Sequence, residues 1–145
     1  MRLIDRYLEE AKRLIPEGMR PPVFDEIRAE WCSCPRCSAA NLRLYLDAVA
    51  ERWIREEGDR PLGDIIRRRW RLPDGRVVYD PAWAHADREA KRIYVSRRVI
   101  YPGDRAARER MAVKEVLHEL LHLCLFSVNE REILELTERL SSGLK

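Results

Sequence analysis

The segment that most constrains the fold is DRAARERMAVKEVLHELLHLCLF, which runs from Asp104 to Phe126. Its apolar residues recur every three or four positions, which predicts a long amphipathic α-helix, and Asp104 can serve as its N-cap. A second helix is predicted over SVNEREILELTERLSSGLK, where Asn129 is a good N-cap with Glu132 as its capping-box partner. The apolar side of the first helix comprises Met111, Val113, Val116, Leu117, Leu120, Leu121, Cys124 and Leu125.

The rest of the chain predicts helices first and strands later. Helical spacing of apolar residues predicts helices over 1–14 and 38–58, and a short helix is expected over 23–31. A turn signal and a β-prone run follow at 72–81, and RIYVSRRVI at 92–100 is the best strand candidate. This order predicts an α+β fold. The length of 145 residues suits one domain, with a helical part at 1–75 and the strands and last two helices at 76–145.

Charge and hydropathy limit the classes of partner. The net charge is only +3 and both signs interleave, so a nucleic-acid partner is not expected. One basic run contains an aromatic residue, Trp70, and we interpret it as a solvated helix end. No segment has the unbroken apolar run of a secretory signal or a membrane span. A cytoplasmic protein without a membrane partner is therefore the expectation, and the sequence does not predict its oligomeric state.

Two of the three histidines, His118 and His122, lie four residues apart on the predicted long helix. Residues at this spacing share one face of a helix, so both imidazoles can point at one metal ion. Zn²⁺ takes neutral imidazole nitrogens as ligands. Glu119 lies about 100° further round the helix, where it can reach a water on the metal but not the same ligand position. Apolar flanking residues favour a dry site. The spacing therefore predicts a zinc site with Glu119 as the general base.

The sequence HELLH resembles the His-Glu-x-x-His signature of the zincin metallopeptidases at every fixed position. The resemblance covers the chain from the strand candidate at 92–100 to the C-terminus. It implies a zincin-like C-terminal half, in which the strand before the helix borders the substrate cleft. It also implies that His118 and His122 bind Zn²⁺, that Glu119 activates a zinc-bound water, and that the substrate is a peptide or protein.

The third zinc ligand is expected to be a glutamate on the last helix. No histidine follows His122, which fits the gluzincin branch better than the metzincins. The candidates are Glu130, Glu132 and Glu135. Helical phase favours Glu130, which lies on the predicted core side, with Glu132 as the alternative. The Asn-Glu pair at 129–130 and the short connection resemble the minimal gluzincins called minigluzincins. The predicted core side of this helix comprises Ile133, Leu134, Leu136, Thr137, Leu140 and Leu144.

A cluster of cysteines forms a second candidate site. Cys32, Cys34 and Cys37 are three thiols within six residues, in the pattern C-x-C-x-x-C. A closed structural zinc site needs four ligands, and Cys124 is the only other cysteine. Three interpretations of the cysteine cluster remain open: a structural metal site, free or packed thiols, and a disulfide.

The sequence therefore predicts a zinc-dependent metallopeptidase. One alternative is a non-catalytic interaction protein in which the metal helix is structural. Another is a nucleic-acid-associated module that uses the Arg-rich stretch around Trp70 and a cysteine-bound metal. The remaining histidine, His85, is expected to be a surface or turn residue.

Overall fold

The computed structural model describes residues 1–45, 69–71, 74–79, 83–100, 105–125 and 128–144. These ranges contain both helices and short strands, so the α+β class is confirmed. The helices are α1 (Leu3–Arg13), α2 (Ala39–Leu44), α3 (Arg105–Cys124) and α4 (Glu130–Ser141). The strands are β1 (Arg28–Trp31), β2 (Arg69–Arg71), β3 (Val77–Tyr79), β4 (Ala84–Asp87) and β5 (Arg92–Val95).

Strand β5 lies at the centre of a three-stranded sheet. It pairs in parallel with β1 and antiparallel with β4, with Ile93 opposite both Ala29 and Ala86. Ala29, Ile93 and Val95 are buried on one face, as expected when side chains alternate along a strand. Strands β2 and β3 form a separate antiparallel pair. The turn before β3 contains Gly75, whose φ of 88° favours glycine.

Helix α3 supplies the largest contribution to the core. Its buried residues include Val116, Leu117, Leu120 and Leu121, which recur at helical spacing as the sequence predicts. Helix α1 and the inner face of the sheet pack against α3 in a single cluster of buried residues, to which Ile4 and Ile93 belong. The core therefore joins residues from both halves of the sequence.

Two sequence predictions before the long helix are wrong. The segment predicted as a short helix at 23–31 contains a 3₁₀ turn at Phe24–Glu26 followed by β1, so the N-terminal half is not purely helical. The strand predicted at 92–100 ends at Val95, and a 3₁₀ turn follows at Arg97–Ile100. The hydroxyl of Ser96 accepts a hydrogen bond from the Arg98 amide at 3.1 Å, which stabilises that turn.

Other predictions have mixed outcomes. Trp70, expected at a helix end, lies in β2. The predicted helix at 38–58 begins as α2, with Ser38 as its N-cap, and its residues 46–58 lie outside the described part of the chain. The predicted N-cap Asp104 also lies outside it. On α4, Ile133 and Thr137 are buried as predicted, but Leu134 is 51% exposed.

Among the helices that the structure describes, none is both long and apolar enough to cross a membrane.

Candidate metal centres

Helix α3 brings the two histidines of HELLH together. The Nε2 atoms of His118 and His122 lie 3.2 Å apart, and the two rings meet edge to face. Each ring is partly buried. Leu117 and Leu121, which precede the two histidines in the sequence, are fully buried in the core. The rings therefore emerge at the border of the apolar face, where a ligand can reach them.

Helix α4 adds a carboxylate to this pair. One oxygen of Glu130 lies 2.8 Å from Nε2 of His118, and the other lies 2.7 Å from Nε2 of His122. Asn129 caps the helix as predicted, since its side-chain oxygen accepts a hydrogen bond from the Glu132 amide at 2.9 Å. This cap begins α4 at Glu130 and so fixes the position of Glu130 beside the histidines.

The other two candidate glutamates make different contacts. The amide of Glu132 is used in the helix cap, and its carboxylate lies 3.5 Å from the Asn129 side-chain nitrogen. Glu135 forms an exposed ion pair with Arg131, with a distance of 3.4 Å between the Arg131 Nε and a carboxylate oxygen. Of the three, the structure places only Glu130 with the two histidines, in a group that could hold a metal ion.

The spacing of the two histidine nitrogens fits a tetrahedral cation. Two nitrogens bound to zinc at about 2.0–2.1 Å lie about 3.3–3.4 Å apart at the tetrahedral angle. The distance of 3.2 Å between the His118 and His122 nitrogens is close to this value. Both contacts to Glu130 have hydrogen-bond lengths. The Glu130 side chain is 59% exposed, so its carboxylate can move the short distance away from the histidine nitrogens that a cation between them requires.

Burial also favours the protonation state that metal binding needs. Desolvation lowers the pKa of His118, although the Glu130 carboxylate acts in the opposite direction. A neutral imidazole offers a lone pair to a cation, whereas a protonated one does not. The Arg88 guanidinium donates a hydrogen bond of 3.1 Å to the backbone carbonyl of His122. This contact attaches the turn between β4 and β5 to the C-terminal end of α3.

Glu119 lies beside the histidines in a partly buried position. Its pKa is raised to about 8, mainly by desolvation and in addition by the negative charges of Glu115 and Glu130. Glu115, one turn earlier on α3, also has a pKa raised by burial. Glu115 was not among the site residues predicted from the sequence. Its spacing of four residues from Glu119, which places both carboxyls on one face of the helix, could have identified it.

The cysteine cluster forms a second group in which three sulfur atoms converge. The Sγ atoms of Cys32, Cys34 and Cys37 all lie within 4.8 Å of one another, and those of Cys32 and Cys34 are 3.3 Å apart. This group could hold a metal ion. Cys124 is not part of it. Cys124 lies on the side of α3 that faces the positive charges of Lys12 and Arg20, so the predicted four-cysteine set is not brought together.

The remaining histidine is a surface residue, as predicted, but it lies in a strand. His85 is exposed on β4, and its ring stacks on Tyr94 of β5 with a centroid distance of 5.1 Å. In the described part of the chain, His85 does not belong to either candidate metal group.

The chain was compared with protein-family models, with curated proteins and with solved structures, and nothing matches in any of the three comparisons.

Proposed function

We propose that the protein is a zinc-dependent metallopeptidase of the zincin type, in its gluzincin branch. The observation that carries the proposal is the convergence of His118, His122 and Glu130, in which each imidazole nitrogen lies within 2.8 Å of a carboxylate oxygen. Two imidazoles and one carboxylate form the ligand set of known catalytic zinc sites with three protein ligands. The HELLH motif adds a glutamate at the position of a general base.

Each side chain has a separate role in the proposed reaction. His118, His122 and Glu130 hold the zinc ion, which when bound polarises the scissile carbonyl and acidifies water. Glu119 takes a proton from the attacking water and delivers it to the leaving amine. Its pKa of about 8 belongs to the metal-free site, and a cation nearby lowers it by favouring the carboxylate. A bound cation would therefore favour the ionised form of Glu119, which a general base needs.

The sheet offers a place for an extended peptide substrate. Among the described strands, β4 pairs only with β5, so it is the edge strand of this three-stranded sheet. Strand β4 also packs beside α3, the helix that carries HELLH. A peptide could therefore add along this edge as a further strand. The strand that would border the substrate is then β4, not the central β5 that the sequence analysis selected.

The test is the Glu119→Gln variant, assayed for zinc content and for hydrolysis of a denatured protein substrate. Glutamine keeps the size and polarity of the side chain and removes the base. We expect zinc to stay bound and the rate to fall by about 10²–10⁴-fold. Glu9→Gln on the exposed side of α1 is the matched control and should keep full activity.

Three results would contradict the proposal. Zinc loss in Glu119→Gln would show that Glu119 is a ligand. An unchanged rate would show that the chemistry takes place elsewhere. A zinc-loaded wild-type protein that leaves the denatured substrate intact would favour the non-catalytic alternative.

A further inference from the structure

The three clustered thiols lie where several elements meet. Cys32 directly follows β1, and its amide donates a hydrogen bond of 2.8 Å to the carbonyl of Val95 at the end of β5. Cys34 and Cys37 belong to the next turn, in which the Cys37 amide donates to the Cys34 carbonyl at 2.9 Å. Helix α2 begins immediately afterwards, with Ser38 as its N-cap.

The sulfur positions fit a tetrahedral thiophilic cation. Zinc binds thiolates at about 2.3 Å, which places two sulfur ligands about 3.8 Å apart. The separations here begin at 3.3 Å and do not exceed 4.8 Å, so small rotations of the side chains would bring all three sulfurs to one ion. The spacing C-x-x-C from Cys34 to Cys37 is also common in zinc sites.

The three sulfurs lie in different surroundings. Cys34 accepts hydrogen bonds from the thiols of Cys32 and Cys37 and from the amides of Arg36 and Cys37. These bonds lower the pKa of Cys34 against the opposing effect of its partial burial. Burial raises the pKa of Cys32 and that of Cys37, the latter to about 12, so a bound cation would have to displace their protons.

We propose that Cys32, Cys34 and Cys37 bind a zinc ion through their thiolates, separately from the histidine site. The ion would fasten the end of β1 to the start of α2, beside the end of β5. Cys124 takes no part. All four cysteines and all three histidines of the chain are in described residues, so no further thiol or imidazole completes this group. An oxygen ligand, from a carboxylate, a backbone carbonyl or a water, would supply the fourth ligand that the ion needs.

The position of the cysteine cluster indicates a structural role for the proposed ion. The Cys37 thiol is hydrogen-bonded to the Ser96 side chain, directly after β5. Asn41 of α2 donates hydrogen bonds of 2.7 Å to the Arg36 carbonyl and 2.8 Å to the Tyr79 carbonyl. The cysteine turn is thus tied to the main sheet on one side and to β3 through α2 on the other. Zinc at this turn would stabilise the connection between the two sheets.

The experiment measures zinc content and thiol protection in the full-length chain. A His118→Ala/His122→Ala variant removes the first site, and we expect it to keep about one zinc per chain. Zinc should raise its Tm and protect three thiols from alkylation, read out by mass spectrometry, while the reactivity of Cys124 stays the same. Cobalt in the same variant should give the intense near-ultraviolet charge-transfer band of thiolate ligands.

Cysteine variants supply the matched comparison. Adding Cys34→Ser to the double-histidine variant should abolish the cobalt charge-transfer band of a three-thiolate site or reduce it by about one third. Adding Cys124→Ser instead should leave the band unchanged. The proposal is overturned if the double-histidine variant binds no zinc, if zinc protects no thiols, or if the purified protein contains a disulfide within the cluster. These outcomes are independent of peptidase activity, so they do not decide the proposed function.

Discussion

The Glu119 carboxyl should make the stability of the metal-free protein depend on pH. Burial, with the charges of Glu115 and Glu130, raises its pKa from the ordinary value of 4.5 to about 8. Between these two values, the folded protein keeps the proton and the unfolded chain has lost it. The folded state then binds more protons, so the free energy of unfolding falls as pH rises.

The size of this effect follows from the interval between the two pKa values. From 4.5 to about 8, at 1.36 kcal/mol per pH unit, the largest loss from this one group is about 5 kcal/mol. Relaxation of the site and water penetration reduce it, so we expect a loss of about 2–5 kcal/mol. Glutamine cannot ionise. Relative to wild type, Glu119→Gln should therefore be nearly neutral at pH 4.5 and clearly stabilising at pH 8.5.

The assay is urea unfolding, followed by circular dichroism, of wild type and Glu119→Gln in chelator-containing buffers between pH 4.5 and pH 8.5. Groups far from Glu119 contribute equally in both proteins, so they cancel in the difference between the two free energies of unfolding. Glu9→Gln controls for removing an exposed carboxylate and should show a difference that hardly changes with pH. With zinc bound, the cation favours the carboxylate, so the stabilisation by glutamine should shrink. A Glu119→Gln difference that stays flat across this range in metal-free protein would refute the reasoning.

Three further predictions concern helix α4 and its cap. Glu130→Gln should raise the apparent Kd for zinc by at least about tenfold in a competition titration, since it removes the anionic ligand, whereas Glu132→Gln should change it little. Asn129→Ala should lower the free energy of unfolding by about 1 kcal/mol through loss of the α4 cap, measured by urea denaturation. Leu136→Ala should cost about 2–5 kcal/mol because Leu136 is 7% exposed, while Leu134→Ala should stay within about 0.5 kcal/mol. Equal losses at the two leucines would contradict the orientation of α4.

The helices of the C-terminal part could be predicted because their signals are local. In α3, Val116, Leu117, Leu120 and Leu121 repeat at helical spacing, and all four are buried. The cap at Asn129 likewise depends only on residues that are close in the sequence. The same phase argument was wrong for Leu134. That side chain lies about 100° round the helix from Ile133, at the edge of a core face narrower than the apolar pattern indicates.

The strand β1 could not be recognised from its own residues. Phe24, Ile27 and Trp31 have helical spacing, but Ile27, Ala29 and Trp31 also alternate as in a strand. The helical spacing was the basis of the prediction. The segment forms a strand instead because it pairs in parallel with β5, where Ala29 lies opposite Ile93 and both are fully buried. Such a contact joins residues more than sixty positions apart in the chain and leaves no local signal.

The two candidate metal groups differ in how much of each is local. His118, Glu119 and His122 share one helix, so their spacing alone fixes their relation. Cys32, Cys34 and Cys37 lie within six residues, and the sequence equally indicated their proximity. Which residues from other segments join each candidate metal group depends on how α3 packs. Glu130 reaches the histidines because α4 begins close to the exposed side of α3, whereas Cys124 faces Lys12 and Arg20 of the N-terminal region. Cys124 is buried in the core and does not belong to the cysteine group, and no spacing within the sequence records its position relative to a segment ninety residues earlier.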